Sequence, residues 1–218
     1  MHLIRLLVTC SLVLLLSATS FPQKNWELKM QKEGINVFTK NFDNSPYKAI
    51  KVVCNIKATL SQITAVLLDI ERTGEWVYAT RTCKLLKLIS SSELIYYSEL
   101  EVPWPVSNRD FIVQMKVTQD EKTKVVTVTA ENKPRYIAEF KNIVRIQQSN
   151  SKWVIVPLQK GLVSVEYILQ VDPGGNIPSW LINLFATRGP YESFKGLQTQ
   201  VHKPVYHGVR LPFLQEME

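Results

Sequence analysis

The chain has 218 residues, of which 45% are hydrophobic, 10% aromatic and 21% charged. Those proportions exclude a disordered or collagen-like chain, and the length suits one large domain or two small ones. The 26 basic and 19 acidic side chains give a net charge of +7, but no long Lys/Arg run marks a nucleic-acid site. Three His and three Cys leave little material for a zinc centre.

Residues 1–20 read as a secretory signal peptide. Arg5 supplies the basic start and Leu6 to Leu16 the apolar run. Ala18 and Ser20 satisfy the small-residue rule before a cut at Phe21. The run is 11 residues, against about 20 for a spanning helix. An uncleaved anchor made by residues 3–18 and a lipoprotein signal at Cys10 are the alternatives. Cleavage leaves 198 residues, a charge of +6 and two Cys, and implies an exported (periplasmic or secreted) protein. Cys54 and Cys83 are expected to be separate, half-buried thiols.

Beyond the leader, Trp26–Glu33 is expected to form a short helix ended by Gly34, followed by a strand at Ile35–Lys40. Lys48–Ile56 alternates as a strand, with Ile50, Val52, Cys54 and Ile56 on one face. Thr59–Ile70 has a capping Thr59 or Ser61 and a stripe of Ile63, Val66, Leu67 and Ile70, so it predicts a helix. Thr73–Tyr78 continues as a second short helix or turn.

Seven strand signals follow: Lys84–Ile89, Leu94–Val102, Arg109–Thr118, Lys124–Ala130, Ile143–Gln148, Trp153–Pro157 and Leu162–Val171. Their short polar connections, Ser149–Ser151 among them, predict a meander of antiparallel hairpins. Asp172-Pro173-Gly174-Gly175 ends the sheet as a turn. A long helix then runs from about Asn176 to Lys203, broken or kinked at Gly189-Pro190. Its apolar face is Trp180, Leu181, Leu184 and Phe185, resumed by Phe194, Leu197 and Val201. One curved sheet gripping one long helix is the economical packing, and it encloses space that is either packed or open to a ligand.

Catalytic chemistry has little support. No Gly-x-Ser-x-Gly elbow, His-x-x-His pair or phosphate-cradling loop is present, and His202 and His207 read as surface residues. Glu99 and Glu101 read as a solvated strand face. Arg109 falls in phase with Phe111 and Val113, on the apolar side, while Asp110 points away. A buried arginine needs partners, so a structural ion pair fixing the start of the strand is expected, with direct ligand contact as the alternative.

Four motifs resemble START domains, the steroidogenic-acute-regulatory-related lipid-transfer family. Pro103-Trp104-Pro105-Val106-Ser107-Asn108-Arg109-Asp110-Phe111 resembles the family's P-x-P-(x)3-R-D-[FY]. Trp26 with Gly34-Ile35-Asn36-Val37-Phe38, and Asp69 with Trp76, resemble two further family pairs. The run from Asp172 to Asn183 (DPGGNIPSWLIN) resembles the opening of its last helix, notably in the phosphatidylcholine-transfer branch. The resemblance runs from about Trp26 to Lys203.

It implies an α+β helix-grip fold, a curved antiparallel sheet of about nine strands around a C-terminal helix, with a tunnel for one lipid. The implied function is non-catalytic binding, and transfer, of a hydrophobic molecule. A cavity filled by side chains, as in a structural or signalling module, and a helix-grip enzyme are the alternatives. Candidate wall residues are Val52, Cys54, Tyr96, Leu100, Phe111, Val113, Met115, Val165, Tyr167 and Leu169. Candidate lid residues are Trp180, Leu184, Phe185 and Phe194, and Arg109 is a structural or polar cavity group. The acid–base pair of cholesterol-binding members falls near Tyr96 and Met115 and is missing here. The domain is expected to span residues 21–204, with residues 205–218 as a tail. No cofactor, metal or nucleic acid is expected, and a monomer touching membrane surfaces transiently is.

Overall fold

The computed structural model describes residues 26–41 and 48–217; the expected leader and its alternatives lie outside them. Ten strands form one sheet: β1 (Glu27–Lys32), β2 (Ile35–Asn41), β3 (Lys48–Ile56), β4 (Thr80–Ser90), β5 (Glu93–Leu100), β6 (Arg109–Gln119), β7 (Val126–Asn132), β8 (Val144–Arg145), β9 (Gln148–Gln159) and β10 (Leu162–Asp172). Their order is β1-β2-β3-β10-β9-β7-β6-β5-β4, antiparallel throughout, with the two-residue β8 parallel to β6. Helix α1 (Leu60–Leu68) follows β3. Helices α2 (Ser179–Asn183) and α3 (Gly189–Gln200) follow β10, joined by a π-helical turn at Leu184–Arg188.

The inward face is split in two. On β3, Val52, Cys54 and Ile56 are sealed under α1 and α3, whose Leu60, Ile63, Val66, Phe194, Leu197 and Val201 complete the core. Farther along, the same face is hollow. Thr59 caps α1 as expected, with a reciprocal bond to Gln62.

Several expectations are corrected. Trp26–Glu33 is not a helix, because Gly34 ends a hairpin instead. Glu33 and Gly34 both have positive φ, at 51° and 75°, the two-residue turn that joins antiparallel strands β1 and β2. Ser149–Ser151 is not a connection but part of β9. The last helix is irregular next to Gly189-Pro190, as expected, though it starts at Ser179 and not near Asn176. Pro190 has no N–H for the ladder, and the bonding slips to a five-residue step, Gly189 N–H donating to Leu184 O.

Nor does the tail lie loose. The Glu216 carboxylate accepts from the N–H groups of Leu60 and Ser61 at 2.9 and 2.7 Å, satisfying the open N-terminus of α1. Leu214 and Tyr206 are buried.

The outward face carries a second, small core, which the alternation pattern alone does not reveal. Ile95, Tyr97 and Ile112 are buried beneath Leu86 and Ile137. Tyr97 also packs edge-on against Phe140, at 5.5 Å between ring centroids. Asp110 and Arg145 form a sealed ion pair on this face.

Candidate functional site

The hollow half of the inward face is a cavity of about 310 Å³. Sheet strands β5, β6, β9 and β10 form one wall, and the Ile70–Val77 segment and the α2–α3 region form the other. Along β6, Arg109, Phe111, Val113 and Met115 face it in strict alternation. Along β10, Tyr167, Leu169 and Val171 do the same.

Of the residues expected on the wall, Tyr96, Leu100, Phe111, Val113, Met115, Tyr167 and Leu169 line this cavity, as do Phe185 and Phe194 from the helical side. Val52, Cys54 and Val165 are corrected: they lie on the right face but in its packed half, at 0–3% exposure. Trp180 is 54% exposed and turned outward. Leu184 sits beside the cavity, not on its wall. Of the expected apolar face, Leu181 and Phe185 point inward, joined by Ile182 and Ala186.

Beyond Tyr96, Tyr167 and Arg109, sequence reasoning missed further polar groups of the wall. Ser149 and Ser151 line it, because strand β9 starts earlier than its apolar run. Trp76 Nε1 and Thr80 Oγ1 line it too and have no hydrogen-bond partner. Gly196 is a further omission. A Cβ there would stand 2.6 Å from the Trp76 carbonyl oxygen, so only glycine lets α3 lie against that segment.

An aromatic cluster occupies one end. Trp153 stacks on Phe194 at 5.2 Å and lies 4.4 Å from Tyr167, while Trp76 meets Trp153 edge-on at 6.4 Å. Burial pushes the Tyr167 phenol up to about 12, moderated by a hydrogen bond with Ser151, and pushes Tyr96 up as well. Both are neutral hydroxyls at ordinary pH. Tyr96 and Met115 stand on the adjacent strands β5 and β6, offset in register, since Tyr96 pairs with Val113 and Met115 with Leu94.

Arg109 stands at the other end, 5% exposed. The expected ion pair is corrected: it belongs to Asp110 and Arg145 instead. Arg109 donates to backbone carbonyls, Nε to Pro173 at 3.4 Å, Nη2 to Gly174 at 3.2 Å, and Nη1 to Ser107. The Asp172–Gly175 turn presents two of these oxygens. Its glycines have φ of 65° and 66°, and Asp172 Oδ1 accepts the Gly174 N–H. Burial lowers the pKa of Arg109, with no carboxylate raising it.

Cys54 and Cys83 are both free thiols, and burial pushes Cys54 up to about 12. Among the described residues no cluster of His, Cys, Asp or Glu could hold a metal. No described helix is long and apolar enough to cross a membrane.

A family model for the START domain matches residues 7–205. The chain belongs to the START-domain family. Its helix-grip architecture, a large antiparallel sheet with a C-terminal helical region, is that of the family. An uncharacterized protein of Pseudomonas aeruginosa is 34% identical over 182 residues, spanning 83% of this chain and 88% of its own. The crystal structure of the STAR-related lipid transfer protein from Xanthomonas axonopodis has a TM-score of 0.75 at 31% identity. That match covers 82% of this START chain and 99% of the other. The phosphatidylcholine transfer protein of Bos taurus is 27% identical, over 75% of this chain and 78% of its own.

Proposed function

We propose that this protein binds a lipid in the cavity and carries it between membranes without converting it. One observation carries the reading: a continuous, mainly apolar hollow runs along the inward face of the sheet, in a protein whose interior is otherwise packed. The family and the names of two relatives support it. Each methylene drawn into such an apolar cavity offsets about 0.8 kcal/mol of the cost of taking a chain through water.

The α2 and π-turn segment acts as the lid in this reading. Leu181, Ile182, Phe185 and Ala186 cover the cavity from that side, while α3 is fixed behind it through Gly196. Trp104 and Trp180, 90% and 54% exposed, are the side chains that meet a membrane interface during exchange. The protein acts as a monomer, exported after loss of residues 1–20.

The test is native mass spectrometry and organic extraction of protein recovered from its own host, with labelled-lipid transfer between vesicles. A stoichiometric lipid and measurable transfer are expected. An empty protein that takes up no labelled lipid would sink the reading.

A further inference from the structure

The two ends of the cavity differ in kind. Each inward position of β6 from Phe111 to Met115 is apolar, and the next, Val117, is in the packed core. Arg109 terminates this row. From Arg109 to Met115 is six residues of strand, roughly 20 Å.

The guanidinium has five N–H donors, and three are used, each on a neutral carbonyl. One N–H on each terminal nitrogen is left over. Among the described residues no acidic side chain bonds to Arg109, whose only resolved electrostatic perturbation is burial. A sealed cation with two free donors is costly unless a partner arrives. Two parallel donors on one guanidinium match the oxygens of a carboxylate or phosphate.

We propose that the lipid carries an anionic head, its oxygens on Arg109 and its apolar part running toward Trp153 and Phe194. This rests on the lipid-binding reading and names the ligand class for that site. The partner is supplied by the cargo, so the site is neutralised only when loaded. A neutral head leaves the two donors unmatched.

Isothermal titration of the purified protein with decanoate, decyl phosphate and decanol tests this. Without a cation, an apolar cavity prefers the alcohol, because burying a carboxylate is unfavourable. With Arg109 the order reverses, and an acid is expected to bind about tenfold tighter than decanol, the equivalent of one charge-assisted hydrogen bond. The two acids separate a carboxylate head from a phosphate head. In Arg109→Gln the preference inverts while decanol binding holds within about twofold, the sign that the cavity is intact.

Equal or tighter decanol binding by the native protein overturns the head-group assignment and leaves lipid binding standing. So does an acid preference that survives Arg109→Gln. Binding of none of the three, together with no co-purifying lipid, overturns both readings. If Arg109→Gln does not fold, Arg109→Lys replaces it. A lysine cannot reproduce the paired donors, so the acid preference is expected to fall severalfold, and an unchanged preference counts against the assignment.

Discussion

Arg145 and Arg109 are neighbours across one sheet, both sealed from solvent at 3% and 5% exposure, and they are held in opposite ways. Arg145 lies on the outward face and uses all five donors. Two go to the Asp110 carboxylate at 2.7 and 3.0 Å, and three to the carbonyls of Pro134, Ile137 and Ala138. Arg109 lies on the inward face and uses three, all on carbonyls. The same residue type fastens a loop in one place and leaves an open valence in the other. A saturated cation belongs to the scaffold, and an unsaturated one facing a hollow belongs to the site.

That contrast is open to challenge by substitution. Asp110→Ala should have the largest effect, because it strands Arg145 as an uncompensated buried charge. A loss of about 3–5 kcal/mol in urea unfolding is expected. A loss below that of Arg109→Gln would reverse the assignment of the two arginines. Gly196→Ala should come next, since its methyl meets backbone and not a flexible side chain. Overpacking of this kind costs about 1–3 kcal/mol, and here lipid transfer should fall with it, because α3 can no longer seat against the Trp76 segment. An unchanged melting temperature would show that α3 is not fixed there.

Arg109→Gln is expected to cost about 1–2 kcal/mol, less than either, since it breaks hydrogen bonds to neutral carbonyls and strands no opposite charge. The smallest effect belongs to Glu75, an exposed residue on Lys203 and Gln200. Those hydrogen bonds, Lys203 first, hold its carboxyl down at about 2 from an ordinary 4.5. A depressed carboxyl stabilises the fold above its unfolded value, and this contribution disappears as pH falls from about 4.5 through about 2. Glu75→Gln should therefore lower stability slightly at neutral pH, leave it unchanged below about pH 2, and so flatten the acid limb of a pH–stability curve. A large loss at neutral pH would mean that this contact, not Gly196, anchors the end of α3.

How far these features show in the sequence depends on whether their cause is local. Strands β3, β6 and β10 alternate cleanly, so their inward residues are legible from periodicity. Where that face turns from packed to hollow is not, because it depends on how far α1 and α3 reach over the sheet. Val52, Cys54 and Val165 therefore look the same as Tyr167 and Leu169. Strand β1 was hidden because Gly34 serves equally well as a helix stop and as a hairpin residue. Arg109 was correctly placed on the inner side, yet its partners come from a turn more than sixty residues later. Asp110 looked solvent-facing because Ile137 and Phe140, which cover the outer core, are scattered through a polar loop. Gly196 is one helical glycine in a string, and only the approach of Trp76 gives it meaning.

The bond from Glu216 to the start of α1 spans 156 residues. Strand β3 likewise waits for β10, its partner in the sheet. The early part of the chain therefore has no finished core until nearly the whole polypeptide is present, a high-contact-order arrangement that folds slowly. Order of synthesis and order of folding are uncoupled here. The cavity draws its walls from β5, β6, β9, β10 and the α2–α3 region, so it too is complete only once the last third of the chain is in place.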